Sequence, residues 1–471
     1  MPSERKLIGR KTIYTNEMVI DSSNVVQVLK DSLSEHELNQ SDIDYLYNYW
    51  KGDQPIRNRV KTIRPEINNK IVVNRANEIV AFKVGYVFGE PIQYVSRKNT
   101  STNAVSDLND LIFMLDKEAL DKELAEWFSI SGIAYRIVLP NKEINEENPS
   151  PIVSYVLDPR YCFVIHSNSL GDPPIMAVKF IQLKENQTLY SVYTKNRYYE
   201  ILDDKIVKDE PHSLGIIPII EYCTSKAKLG EFEKVIDLLD AINLTISDRI
   251  NGVEQFIQAL MKFVNADITV EDFEKLKDLG ALKIRSDSNN PAEVEYMSQE
   301  LNQSQVQIVI DDMYQAVLTI CGMPNRNGGS STSDTGSAVV LRDGWEAAES
   351  RAKDVEVMFK RSEKQFLKLV LRILKDMSDI LLRLSDIEIK FTRRNYENIT
   401  EKSNVLTSML SCNKIHPRLA FEHSGMFNDV ESAYKSSEDY YNEQSAKELE
   451  LSQNKDKKEG KGNETRAEDT Q

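Results

Sequence analysis

The sequence lacks the features that mark several large classes of protein. No apolar run approaches the length of about 18 residues that a membrane-spanning helix needs. The basic start, M-P-S-E-R-K-L-I-G-R-K, is followed by no apolar stretch, so we expect no secretory signal. Cysteine is rare: the 4 cysteines lie far apart among apolar residues. This spacing is typical of small buried core residues rather than of disulfides or a metal cluster.

Positive charge is also scarce. The 59 Lys and Arg residues are outnumbered by 74 Asp and Glu residues, which gives a net charge of −15. A protein that coats DNA or RNA needs clustered Lys and Arg to neutralise phosphates. The composition therefore argues against a coating protein, but it is compatible with a protein that DNA passes without binding tightly.

Motifs for catalysis and cofactor binding are missing as well. The chain has neither a G-x-x-x-x-G-K-[ST] phosphate loop nor a G-x-S-x-G nucleophile elbow, and its 5 histidines are scattered. Asp311 and Asp312 are adjacent on a predicted helix, where neighbours point about 100° apart and chelate one ion poorly. We expect no catalytic residue, no metal and no cofactor. A nuclease that uses scattered acids is the enzymatic alternative.

The patterns that are present predict an α+β fold, mainly helical, with a β-rich middle. Helices are predicted near Val25–Leu33, from a cap at Ser41 to Gly52, from Val73 and over 104–127. Between Ile130 and Tyr222, seven segments alternate polar and apolar residues, which predicts a largely antiparallel β region.

Two long helices follow, over 230–263 and 301–321. The first would be about 50 Å long and carries an apolar stripe. Acids mark its opposite side: Glu233, Asp237, Asp240, Asp248 and Glu254. Between the helices, 264–300 reads as a short helix capped by Thr269 and then a hairpin. This tip has too few apolar residues to be stable alone.

The second long helix opens onto a loop with almost no side-chain bulk, N-R-N-G-G-S-S-T-S-D-T-G-S at 325–337. Such a loop is either a passive linker or a moving element held by rigid helices. A still longer helix is predicted over 336–385, then a strand at 387–391 and two short helices. The polar, charged C-terminus predicts a helix and then a disordered tail.

This order of elements resembles the portal proteins of tailed bacteriophages, of the siphophage type. Three segments carry the resemblance best: Y-W-K-G-D-Q-P-I-R-N-R from Tyr49, N-N-K-I-V-V-N-R-A-N-E-I-V-A-F-K-V-G-Y-V-F-G-E-P-I-Q-Y from Asn68, and S-D-T-G-S-A-V-V-L-R from Ser333. The segment around His416-Pro417-Arg418 departs from the family pattern.

The resemblance implies a ring of about twelve subunits at one capsid vertex, a virion component assembled in the host cytoplasm, and no enzymatic activity. Double-stranded DNA would be packaged through the ring and later ejected. Implied partners are the terminase large subunit, a head-completion adaptor, and the major capsid and scaffold proteins, with no membrane. The alternative is a non-enzymatic structural or scaffolding coiled-coil protein without DNA passage.

The resemblance also assigns segments: a wing over 1–229, a stem over 230–263 and 301–322, a clip over 264–300, a tunnel loop over 323–337, a long wing helix over 338–389, a crown over 390–445 and a disordered tail over 446–471. The five stem acids named above would face the channel. The tunnel loop would use Asn325, Arg326, Gly328, Gly329, Ser330, Ser331, Thr332, Ser333 and Asp334. Clip contacts would come from Phe273, Leu276, Ile284 and Val294.

Overall fold

The structure, a computed structural model, describes most of the chain. The described residues are 9–97, 102–145, 150–184, 187–257, 260–265, 291, 293–297, 303–325, 344–377, 380–393, 399–427 and 429–467. The helices are α1 Val25–Lys51, α2 Arg75–Val87, α3 Thr102–Met114, α4 Lys117–Ser131, α5 Ile236–Ile257, α6 Gln303–Cys321, α7 Trp345–Met377, α8 Ile399–Leu410, α9 Pro417–Ser424 and α10 Val430–Ala467. The strands are β1 Ile13–Thr15, β2 Gln93–Ser96, β3 Ile133–Pro140, β4 Ile152–Leu157, β5 Cys162–Ser167, β6 Pro174–Gln182, β7 Thr188–Tyr193, β8 Arg197–Leu202, β9 Lys205–Pro211, β10 Ile219–Cys223, β11 Leu260–Val264, β12 Glu293–Met297 and β13 Ile387–Lys390.

The middle is β-rich, as the alternating pattern predicts, and its strands form two sheets. One sheet has the order β1-β5-β6-β7-β8-β9 and the other β10-β3-β4. Every pairing between strands of the middle is antiparallel, and β1 adds to β5 in parallel. The mixed helical and β content confirms the predicted α+β class.

The chain divides into two compact units. Unit 1 comprises 1–47, 79–233 and 322–471, and unit 2 comprises 48–78 and 234–321. Unit 2 thus contains most of the predicted stem and clip. It also contains 48–78, which the resemblance places in the wing.

The core of unit 1 lies where α7 packs against α4 and the β10-β3-β4 sheet. Aromatic rings fill this contact: Phe359 lies 4.8 Å from both Phe88 and Tyr222, measured between ring centroids. The short strand predicted at 387–391 is confirmed as β13, which pairs antiparallel with β2.

Several predicted boundaries are wrong. Ser41 lies inside the continuous helix α1 and caps nothing, because the helix begins at Val25. The helix predicted over 104–127 is two helices, α3 and α4, separated at Asp116, whose φ of 51° is left-handed. Cys412 is exposed, whereas the other three cysteines are buried or half-buried.

The helix predicted over 230–263 is also shorter than predicted. It ends at Ile257, and residues 260–264 form β11, which pairs with β12. The run Leu-Met-Lys-Phe-Val suits either structure, since short apolar runs do not reveal their period. The sequence predicts 281–285, rather than 260–264, as the strand that pairs with β12. Residues 281–285 and the helix predicted at 269–280 lie outside the described residues.

Two predictions for the C-terminal part of the chain also differ from the structure. The helix predicted over 336–385 spans Trp345–Met377 among described residues, and Leu384–Asp386 is a 3-10 turn. The predicted disordered tail is helical as far as Ala467. Its Lys, Glu and Gln residues favour helix, which offsets the lack of an apolar face.

His36 on α1 makes the stability of unit 1 depend on pH. Its ring stacks on Phe163 at 4.4 Å, and Nε2 lies 3.0 Å from the carbonyl of Arg160. Burial lowers the pKa of His36 to about 4, although that hydrogen bond favours the charged form. The unfolded chain therefore binds the proton more readily between the two pKa values.

We expect the free energy of unfolding to fall by about 2 kcal/mol as the pH drops from 7.5 to 5, since the unfolded His36 titrates near 6.5. Urea unfolding at the two pH values measures this change. His36→Gln, which keeps a donor for Arg160, should show a flatter pH dependence over that interval. An identical pH dependence in both proteins would contradict the assignment.

Candidate functional site

Unit 2 is built on the packed helix pair α5 and α6. The apolar stripe of α5 is buried at its start, where Leu239 and Ile242 are 1% and 2% exposed. The same stripe continues to Ile250 and Val253, which are 37% and 41% exposed. On α6, Ile308 is 59% exposed. The distal part of the helix pair therefore presents apolar surface that the described residues of the chain leave exposed.

A polar ladder lies on another face of α5. Asn243, Ser247 and Asn251 follow one another at a spacing of four residues, and all are buried. They accept hydrogen bonds from three backbone N–H groups in the segment 69–73. Val73 donates to Asn243 Oδ1 at 2.8 Å, Ile71 to Ser247 Oγ at 3.0 Å, and Asn69 to Asn251 Oδ1 at 2.7 Å.

The ladder forms because four residues of helix and two residues of extended chain have nearly the same length. Four residues of helix rise about 6.0 Å, and two residues of extended chain rise about 6.6 Å. Alternate N–H groups of 69–73 therefore meet successive turns of α5. Asn243 also donates to Gln54 Oε1 at 2.5 Å, so the ladder fixes two parts of the segment 48–78 on the helix.

Removing one rung of the ladder should destabilise unit 2 measurably. Asn243→Ala leaves the N–H of Val73 and the amide oxygen of Gln54 without their partner, and we expect a loss of about 1–3 kcal/mol. Urea unfolding measures it. Thr245→Val is the matched control, because the Thr245 hydroxyl bonds only to Ala241 of its own helix among described residues. Equal effects of the two substitutions would contradict the ladder.

The structure places the five predicted stem acids in different environments. Asp237 is exposed, Glu254 is half-buried, and Asp248 is exposed beside Arg59, with 2.5 Å between the charged atoms. Asp240 is half-buried and accepts a hydrogen bond from Tyr49 at 2.8 Å. Burial raises the pKa of Asp240, against the effect of that hydrogen bond.

Glu233 requires a correction. It is 1% exposed and forms an ion pair with Arg10 at 2.6 Å, so it does not lie on a solvated face as predicted. Its second carboxylate oxygen accepts the N–H of Gly230 at 2.9 Å. The partner, Arg10, is distant in sequence, which the local pattern of the helix could not reveal. The channel-facing role remains a prediction for the exposed acids.

Pro324 and Gly344, which lie on either side of residues 326–343, are close together in space. A Cβ on Gly344 would lie 3.9 Å from the Cα of Pro324. Two residues before Pro324, Gly322 has a left-handed backbone with φ of 61°. A Cβ at this position would lie 2.5 Å from Cγ of Arg351, so a larger residue would clash. A chain that leaves and returns at one point spans no distance. Residues 326–343 therefore connect two points that lie close together, and the role of the loop remains a prediction.

A buried ionic cluster holds the helix that follows this loop. Glu363 of α7 is fully buried and accepts from Tyr94 at 2.5 Å and from Tyr222 at 2.8 Å. Lys117 lies 2.8 Å from one of its oxygens, and Arg136 lies 3.7 Å from the other. Asp121 bonds both cations, so two positive charges face two negative ones.

The cluster keeps Glu363 ionised. Burial alone would raise its pKa, but Lys117 and Arg136 hold the pKa of Glu363 below its ordinary value. Sequence reasoning missed both this cluster and the polar ladder. The ladder did leave one signal, the spacing of Asn243, Ser247 and Asn251 at four residues within an apolar helix. The cluster left none, since its members come from distant segments.

Most of the other predicted site residues lie outside the described residues. This applies to Arg326, Gly328, Gly329, Ser330, Ser331, Thr332, Ser333, Asp334, Phe273, Leu276 and Ile284. Asn325 is described, at the end of the segment that follows α6, and Val294 lies in strand β12. Within the described chain no group of His, Cys and acids could hold a metal, and no helix has the length and apolarity of a membrane span.

Comparisons with known proteins give the family. Two solved structures similar to this chain are "Neck of native GTA particle computed with C12 symmetry", with 10% identity, TM-score 0.44 and coverage of 75% of this chain and 89% of that chain, and "Neck of empty GTA particle computed with C6 symmetry", with 9%, 0.44, 75% and 90%. A search of curated proteins gave no significant match. The family model described as "Phage portal protein, SPP1 Gp6-like" matches residues 29–460. Because that match spans most of the sequence, the chain belongs to the SPP1 Gp6-like family of phage portal proteins.

Proposed function

We propose that this chain forms a ring of about twelve subunits at one capsid vertex, through which the terminase packages double-stranded DNA and from which the DNA later leaves. The observation that carries the proposal is the family match over residues 29–460. The ring would also dock the terminase large subunit, a head-completion adaptor, and the capsid and scaffold proteins. The terminase, not this chain, would hydrolyse ATP.

The charge of the chain supports DNA passage. A duplex that must slide cannot make many contacts that release counterions, because each such contact adds to its affinity. The net charge of −15 and the exposed Asp237 on α5 fit a channel that repels phosphates, whereas the charge of Asp248 is balanced by Arg59. Residues 325–337, with Arg326 and Asp334 as their only charges, would be the loop closest to the DNA.

The uncovered apolar residues of the helix pair support assembly. Ile250, Val253 and Ile308 are large, apolar and more than one-third exposed in one chain. In a ring, the neighbouring subunit would cover them, and the segment 264–300 would gain stability from its neighbours. This is how a tip with few apolar residues of its own could remain folded.

The stem variants Val253→Asp and Ile308→Asp should reduce the ring to single chains or small oligomers, since each places a charge in an apolar contact. Mass photometry should show the wild-type chain near twelve times 53.9 kDa. Because both side chains are exposed in one subunit, the substitutions should leave the monomer folded.

The control is Val207→Asp, which introduces the same charge at a valine 55% exposed on β9, in unit 1. It should assemble like the wild type. If both stem variants also form intact rings, the helix pair is not the subunit contact, and the segment assignment over 230–322 fails.

A further inference from the structure

Unit 1 carries an open groove of about 500 Å³ that lies apart from the helix pair of unit 2 in sequence. It is formed by α3, by the chain that follows β3, and by the end of α7 with the chain after it. The lining residues are Asp107, Asp110, Leu111, Met114, Ile144, Pro151, Met377 and Ile380. The groove has no role in the function proposed above.

Its wall exposes more apolar surface than a single scattered side chain would. Met114 is 54% exposed, Ile144 52% and Met377 41%, and all three line this one groove. Isolated exposed apolar residues are normal on soluble proteins, but several that share a concave surface mark an interaction site. Methionine suits such a surface because its flexible side chain adapts to different partners.

Charge and apolar surface are arranged in order along α3. Asp107, Asp110, Leu111 and Met114 follow at helical spacing, so they form one stripe facing the groove. The other side of α3 holds Val105, Leu108 and Ile112 in the core. Within the stripe, the two carboxylates occupy one turn and the two apolar residues the next, about 6 Å further along the axis.

Both carboxylates are available to a partner. Asp107 and Asp110 are exposed, and neither forms an ion pair with another described residue. A segment that fills the groove would therefore meet acid at one end and apolar surface at the other. A complementary ligand has Lys or Arg placed one helical turn from Leu, Ile or Met.

We propose that this groove is a docking site for a basic amphipathic segment of another protein, with its cations on Asp107 and Asp110 and its apolar side chains against Met114, Ile144 and Met377. Charge complementarity favours a foreign basic segment over a second copy of this acidic chain. Each subunit carries a complete groove, so the proposal does not depend on ring formation.

The test uses the full-length protein and two short model peptides, one with leucines and lysines at helical spacing and one with glutamate in place of each lysine. Fluorescence anisotropy measures binding of the labelled peptides to the wild type and to Met114→Asp. The lysine peptide should bind the wild type saturably, and the glutamate peptide should not. Met114→Asp should weaken the lysine peptide about tenfold or more, because an apolar contact is lost.

Net charge alone cannot produce this result, because Met114→Asp makes the protein more acidic. Leu170→Asp is the matched control: it adds the same charge at a leucine that is fully exposed, and should bind the lysine peptide as the wild type does. The double variant Asp107→Lys, Asp110→Lys should reverse the preference in favour of the glutamate peptide. Met377→Asp, also exposed, checks the apolar contact from the other wall.

Equal binding of the lysine peptide to the wild type, Met114→Asp and Met377→Asp would overturn the proposal. So would equal binding of both peptides to the wild type. If the groove variants instead change the oligomeric state and leave peptide binding unaltered, the groove contacts a second copy, and the proposal is wrong. Failure of the ring with intact peptide binding would count only against the proposed function.

Discussion

Replacing residues 326–343 with a turn of a few glycine and serine residues is expected to leave the ring assembled and to prevent the prohead from retaining a full length of DNA. The ends of this segment already meet, since a Cβ on Gly344 would lie 3.9 Å from the Cα of Pro324. A short turn can therefore close the chain without moving α6 or α7. What is lost is the segment that we propose lies closest to the DNA.

The measurement is the length of nuclease-protected DNA in proheads that carry the shortened chain. The control is a loop of unchanged length in which residues 326–343 are replaced by a glycine-serine sequence, which separates the need for length from the need for these side chains. Mass photometry verifies the ring in both proteins. Packaged DNA of normal length with the shortened loop would show that the segment is a passive connection.

The substitution Glu363→Ala is expected to cost about 3–5 kcal/mol of the free energy of unfolding. It leaves the ammonium of Lys117 and the guanidinium of Arg136 buried with a single carboxylate, Asp121, between them. It also removes the acceptor of the Tyr94 and Tyr222 hydroxyls. A buried charge without its partner is far more costly than an exposed ion pair is worth.

Urea unfolding of Glu363→Ala and of Glu346→Ala compares a buried and an exposed glutamate on the same helix. The exposed substitution should change the free energy of unfolding by less than about 0.5 kcal/mol. A similar small effect at Glu363 would mean that the cluster does not hold α7 in place. Because α7 follows the loop directly, destabilising it should also impair packaging at elevated temperature.

The β-rich middle could be predicted because its signal is local. In β8, buried Tyr199 and Ile201 alternate with half-buried residues, and β6 contains the short apolar run I-M-A-V. The turns between strands of the middle carry Asp, Gly, Pro and Asn. An alternating pattern identifies a strand whatever its partner is. The pairing of β1 with β5 could not be read in this way, since it joins residues about 150 positions apart.

The C-terminal boundary of α5 shows where local signals are ambiguous. Leu260 continues the helical stripe of α5, but the following residues also suit a strand, and β12 decides the outcome by pairing with them. Likewise Ser41 is a good cap residue, yet the residues before it also favour helix, and α1 runs through it.

The polar ladder and the ionic cluster depend on contacts that no local pattern encodes. Asn243 and its partner Val73 are separated by 170 positions, and Glu363 and Tyr94 by 269. Each member alone resembles an ordinary polar helix residue. Only the fold shows that Asn243 and Glu363 are buried and that their partners are already in place.

DNA packaging into proheads assembled with and without the chain tests whether DNA enters the capsid through a ring of this protein. Proheads, terminase, ATP and double-stranded DNA are mixed, and the DNA that survives nuclease is measured. Protected DNA is expected only in proheads that contain the ring, and the unassembled Val253→Asp protein should give none. Equal amounts of protected DNA in proheads that lack the chain would contradict it.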